Sequence, residues 1–166
     1  MRRVRQKFTR VRQEIRTIGD ASLAARAVVW AFVLPVLKHM IAVRSLAGVM
    51  YVVPRRTTRD ASLEDRIVVY ARWAARLIRW KSGGNCLERG LIAYRYLSAA
   101  GARPTLVVGI GRGETGVLGH AWVLVDGALV GEPQSSIAPY TPVFAFGPDG
   151  RMDAQMTSLS GNASAG

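Results

Sequence analysis

Between Asn85 and Glu132 the hydrophobic pattern changes period once, and it does so across a single glycine. In "NCLERGLIAYRYLSAAG" the residues Leu87, Leu91, Tyr94 and Leu97 fall on one helical face, and Gly101 supplies the stop. Beyond it, "TLVVGI" (Thr105 to Ile110) and "GHAWVLV" (Gly119 to Val125) read as strands. "DG" then reads as a tight hairpin turn and "ALVGE" as the returning strand. A helix leading into an antiparallel meander predicts an α+β domain. The intervening "GRGETG" spells GxGxxG, but that motif works by leading from a strand into a helix that holds a pyrophosphate. Here a second strand follows, so the segment reads as a flexible hairpin turn.

Upstream, "SLEDRIVVYARWAARLIRW" is an amphipathic helix. Ser62 is placed as its N-cap, with Asp65 three residues on, and Ile67, Tyr70, Ala74, Leu77 and Ile78 follow at helical spacing. Trp73 and Trp80 read as core or groove-lining residues. Residues 1–53 read as helical, with breaks at Gly48 and Pro54. Seven basic residues crowd "MRRVRQKFTRVRQEIR", and the apolar run Ala27 to Leu37 follows. That run is about half the roughly 20 residues a membrane span needs, and Pro35 interrupts it. No small-residue cleavage site succeeds it, so it reads as a buried or membrane-skimming helix rather than a signal segment. The expected organisation is a basic, apolar helical extension with its linker over 1–59, a core over 60–147, and a disordered polar tail over 148–166. There is no internal repeat.

The net charge of +12 implies an acidic counterpart: nucleic acid, anionic lipid or an acidic peptide. The arginines lack the interleaved aromatics of a nucleic-acid face. A solvated basic helix facing an acidic peptide, a partner or anionic lipid fits better. One cysteine excludes a disulfide scaffold and suits a reducing cytosol. With only His39 and His120 beside it, it also makes a structural zinc site improbable.

That cysteine, Cys86, occupies the first helical position behind Asn85, a preferred N-cap, and Glu88 completes a capping-box pattern. A lone thiol is more often a small packed hydrophobe than a nucleophile. A helix start nevertheless favours the thiolate, the form that attacks. A nucleophile needs a base and the base an orienting group. His39 lies in an apolar helical segment and reads as a core or surface residue; His120 begins a strand after a loop and can reach a cleft. Asp126 follows His120 by six residues, about 20 Å along a strand at roughly 3.3 Å per residue. The reversal at Asp126-Gly127 brings Glu132 back beside His120. A plain two-residue turn would put Glu132 on the opposite face from His120. A shared face therefore requires a three-residue loop or bulge between Val125 and Leu129, with Gly127 its natural place. Cys86 and His120 are expected within hydrogen-bond reach of each other.

"NCLERGLIAYRYLSAAGARPTLVVGIG" followed by "GHAWVLVDGALVGEP" resembles the transglutaminase-like cysteine-peptidase core of lasso-peptide leader peptidases, over about Asp60 to Phe146. The resemblance implies a papain-like, transglutaminase-type fold, with Cys86 as nucleophile, His120 as general base and Glu132 as the orienting acid. The wider superfamily more often has Asp at that third position. It also implies a bacterial, cytoplasmic enzyme without cofactor or metal. Such an enzyme cuts a ribosomally made precursor between leader and core, freeing the amine that an ATP-dependent lasso cyclase joins to a side-chain carboxylate. In split systems a separate leader-recognition protein holds the leader, and this chain is expected to be the stand-alone peptidase. The basic start adds an anionic surface, the inner membrane face, as a candidate contact. The oxyanion is expected on the Cys86 backbone N–H, with the Asn85 side chain a weaker candidate. Two competitors remain: acyl transfer to an amine by the same triad, and a non-enzymatic basic module for nucleic acid or membrane.

Overall fold

The computed structural model describes residues 18–54, 58–77, 85–114 and 116–153. Among the described residues four helices precede a four-stranded sheet: α1 (Ile18–Met40), α2 (Val43–Met50), α3 (Ala61–Leu77), α4 (Cys86–Ala99), β1 (Pro104–Gly113), β2 (Gly116–Val125), β3 (Ala128–Val130) and β4 (Thr141–Phe146). The sheet is antiparallel throughout, in the order β3-β2-β1-β4. The expected α+β architecture is the one found.

Helix α4 is the centre of the molecule. Leu91, Ile92, Tyr94 and Leu97 are all fully buried, so it carries apolar groups round more than the single stripe expected. Its neighbours explain the difference: helices α1 to α3 lie on one side and strands β1 and β2 on the other. Burying each such side chain contributes about 1.5–3 kcal/mol. Gly90 lets helix and sheet approach, because a Cβ there would stand 3.0 Å from Leu106 Cδ1. The stop at Gly101 is as expected. Its φ is +86°, with Ala102 N–H donating to Leu97 O (3.0 Å) and Gly101 N–H to Ser98 O (3.0 Å). Together these bonds form a Schellman closure.

The helix starts differ from expectation. Helix α3 begins at Ala61, capped by Asp60, whose Oδ1 accepts from Leu63 N–H at 3.1 Å. A carboxylate there satisfies an orphan amide and meets the positive helix end. Ser62 instead accepts from Arg66. Gly48 lies inside α2, and the break falls between Met40 and Val43. Pro35 does not end α1, which continues to Met40; residues 19–40 are long and apolar enough to cross a membrane by length and composition. Proline forfeits one backbone bond, but packing holds both halves of the helix. Ala24, Ala27, Ala31 and Leu34 are buried, and the last three join the same core as α3 and α4. Buried Asp20 accepts from Arg66 Nε at 2.9 Å, tying the two helices together. The outward Val29, Phe32, Val36 and Met40 are exposed.

Val107, Trp122 and Ala145 form a second small cluster, packed with Leu124, Leu129, Ile137 and Tyr140. The direct pairing of Gly113 with Gly116 makes "GRGETG" a hairpin, as read. The tail expected to be disordered from residue 148 keeps its structure to Asp153. Gly147 N–H donates to Arg151 O (2.8 Å), and Asp153 N–H donates to Ala145 O (2.8 Å), continuing the sheet edge. The basic segment before Ile18, the middle of the linker (55–57), Ile78, Trp80 and the remainder of the tail (154–166) lie outside the described residues.

Candidate active site

Cys86, His120 and Glu132 arrive from three elements. Cys86 opens α4 and is half-buried. His120 stands on β2, opposite Gly109 of β1. Glu132 follows β3. Its carboxylate, 7% exposed, accepts from His120 Nε2 through Oε2 at 2.8 Å.

That contact exists although the hairpin is the plain one. Val125 pairs with Ala128, Leu124 with Leu129 and Val123 with Val130, across a two-residue Asp126-Gly127 turn. Both turn residues have positive φ, +50° and +82°, as a type I′ turn requires. The bulge expected at Gly127 is absent. The correction comes at Gly131, whose φ of +80° takes the chain out of the ladder after Val130. Strand alternation then no longer governs Glu132, and its side chain turns back to the histidine. Gly131 is needed twice over: its conformation is left-handed, and a Cβ would stand 2.6 Å from Val68 Cγ1.

Two further groups hold the same carboxylate. Arg89 Nη2 donates to Oε1 at 2.7 Å, and the Ser136 hydroxyl donates to Oε2 at 2.8 Å. Neither was expected. Arg89 lies three residues after Cys86, hence on the same helix face, and Ser136 is four residues past Glu132 in the short 3-10 turn Gln134–Ser136. The His120 ring also stacks on Tyr140 (centroids 4.8 Å apart) and lies 6.0 Å from Trp122. Faces and edges of the imidazole are thereby fixed.

The thiol is placed beside this unit without joining it. Cys86 Sγ lies 3.9 Å from the carbonyl oxygen of Gly119, the residue before His120, and makes no hydrogen bond to the imidazole among the described residues. The expected direct contact between thiol and imidazole is not made; the sulfur meets the backbone of the preceding residue instead. A thiol carries one weak donor, and the carbonyl takes it; such contacts tighten on substrate binding in many enzymes.

Asn85 and Glu88 do not form the expected capping box. The Asn85 amide donates to Ala75 O at the end of α3, with no side-chain cap bond to α4. It therefore points away from an oxyanion role. Glu88 is buried and accepts from Lys38 Nζ of α1 at 2.7 Å. In both cases a group on a neighbouring helix outcompetes the local amide. His39 is exposed near the end of α1, apart from these residues.

A carboxylate only accepts hydrogen bonds, so Nε2 of His120 carries the proton toward Glu132. In the neutral ring Nδ1 is then the free base. An imidazole in this form can take a proton from a thiol brought within reach of Nδ1 and return it to a leaving group.

A family model described as the transglutaminase-like superfamily matches residues 24–145, a span from the buried face of α1 to the end of β4 that includes all three residues. No curated protein and no solved structure matches.

Proposed function

The chain belongs to the transglutaminase-like superfamily, and on that premise we propose that it is a cysteine peptidase that removes the leader from a lasso-peptide precursor. The superfamily's chemistry is that of cysteine proteases and acyltransferases. The observation that carries the assignment is the Glu132 carboxylate bridging Arg89 and His120 Nε2, which leaves Nδ1 as base on the strand beside Cys86. Cys86 gives its proton to His120 and attacks the scissile carbonyl. The tetrahedral oxyanion rests on the backbone N–H of Cys86, one of the helix-start amides without an intrahelical partner. His120 protonates the departing amine, the core's new N-terminus. It then takes a proton from water, which hydrolyses the thioester.

Leader removal rests on the resemblance of the Asn85–Gly111 and Gly119–Pro133 segments to leader peptidases. The partners that follow are the precursor peptide, a separate recognition protein and the ATP-dependent cyclase. Mass spectrometry of the precursor after incubation tests it. Wild type releases the core, whereas Cys86→Ala leaves the precursor whole with an unchanged circular dichroism spectrum; normal cleavage by the variant ends the peptidase reading. A primary amine added to the same reaction separates hydrolysis from acyl transfer, because an amidated leader would mark a transferase.

A further inference from the structure

The β1–β2 hairpin runs past the start of α4, and no described residue covers the face it turns toward Cys86. Register places Ile110 opposite Gly119 and Arg112 opposite Val117. By alternation these share a face with Ala121 and Val123. Lower down, α4 covers that face: a Cβ on Gly90 would stand 3.9 Å from Ala121 Cβ and 4.0 Å from Val123 Cγ2. One helical turn earlier Cys86 reaches the Gly119 carbonyl, and there the helix ends. Beyond it Ile110 is 48% and Val117 75% exposed.

Gly119 is the unexplained residue of this strip. Its backbone is not in the left-handed region, and a side chain on it would meet no atom within 4 Å. The glycines of the opposite face differ. A Cβ would strike Thr141 O at 2.8 Å from Gly109 and Pro139 O at 2.6 Å from Gly111. Those two allow the chain to pack. Among the described residues Gly119 serves no packing and no backbone need, and its carbonyl is the group that meets the thiol.

We propose that Gly119, Ile110 and Val117 form a specificity subsite for an apolar side chain of the peptide on the acyl side of the scissile bond. The acyl half stays bound to Cys86 through both chemical steps, so a subsite beside the sulfur holds it throughout. Gly119 admits the extended backbone, and the two aliphatic groups cover the side chain that lies across them. This rests on the peptidase reading above.

Peptidyl chloromethyl ketones test it, since Cys86 displaces chloride to form a thioether that intact-mass spectrometry counts. The two residues nearest the ketone are varied between Leu and Ser, with iodoacetamide as a reagent too small to need the subsite. Wild type should react with the best Leu reagent about tenfold or more faster than with its Ser counterpart, the discrimination an apolar pocket offers. The double variant Ile110→Ser, Val117→Ser should lose that preference while keeping the iodoacetamide rate. Gly119→Val should slow every peptidyl reagent about tenfold or more beyond any change in its own iodoacetamide rate. Equal rates for Leu and Ser reagents in wild type, or a preference retained in the double variant, overturns the subsite. So does a Gly119→Val protein that reacts like wild type. Precursor cleavage by Cys86→Ala would instead sink the peptidase reading, so the two failures are separable.

Discussion

Glu132→Gln changes one atom type and no volume, yet it should disable the site through the tautomer of His120. Arg89 and His120 use different oxygens of the carboxylate, Oε1 and Oε2, at 2.7 and 2.8 Å. An amide has one oxygen and one NH₂. Guanidinium can only donate, so the amide oxygen must face Arg89 and the NH₂ must face His120. The imidazole then accepts at Nε2 and carries its proton on Nδ1, where the base should be. A wrong tautomer of this kind costs about 10⁴-fold in turnover in the Ser-His-Asp enzymes, or about 5.5 kcal/mol. Ser136 turns its hydroxyl proton to the Pro133 carbonyl, 2.7 Å away. Both bonds survive but lose their charge assistance, which should lower stability by about 1 kcal/mol each, the exposed fraction of Arg89 reducing its share. The assay pairs precursor cleavage with long-range ¹H–¹⁵N correlation spectra of His120. Wild-type turnover in Glu132→Gln, or an Nε2-protonated ring in the variant, would refute the reasoning.

Gly131→Ala should destabilise by more than the about 1–2 kcal/mol that a left-handed alanine costs, because its Cβ also meets Val68. Gly127→Ala, with open space around it, should show the backbone cost alone in urea unfolding. Burial holds the Tyr94 phenol in its neutral form and pushes its pKa up to about 12. Its stabilising contribution is complete below the unfolded value of about 10 and is lost as pH rises through about 12, so denaturation midpoints should fall across that window and fall less in Tyr94→Phe. Neutralising Arg2, Arg3, Arg5, Lys7, Arg10 and Arg12 should raise the apparent KM for precursor or release the protein from anionic vesicles. Added salt should do the same, since exposed charges are screened over about 10 Å at 0.1 M; no change in either reading would leave those charges a solvated face.

The elements whose causes are local were legible without coordinates. Helix α4 announced its face through Leu91, Tyr94 and Leu97 and its end through Gly101, because 3.6-residue spacing and a glycine with positive φ are properties of a short stretch of chain. The Asp126-Gly127 turn was legible for the same reason, and so were Cys86 and His120 as residues of interest. Partnership was not legible. Asn85 and Glu88 had the spelling of a capping box, but the nearest strong partners were Ala75 O and Lys38 on other helices. Likewise Ser62 yielded the cap to Asp60 once Arg66 took its hydroxyl.

The site divides along the same line. The chain's own order set a thiol at a helix start, a histidine on the strand after the first hairpin, and an acid a short return later. Strand alternation, extended to Glu132, demanded a bulge at Gly127, and the demand failed because alternation holds only while the ladder lasts. Pairing stops at Val130, and Gly131, pressed against Val68 of α3, redirects the chain. Only the packing of α3 against that turn decides where the carboxylate points, and only the approach of α4 brings Arg89 to its second oxygen. Periodicity is a rule about neighbours along the chain; the direction of a side chain beyond the last paired residue is set by whatever the folded molecule puts beside it.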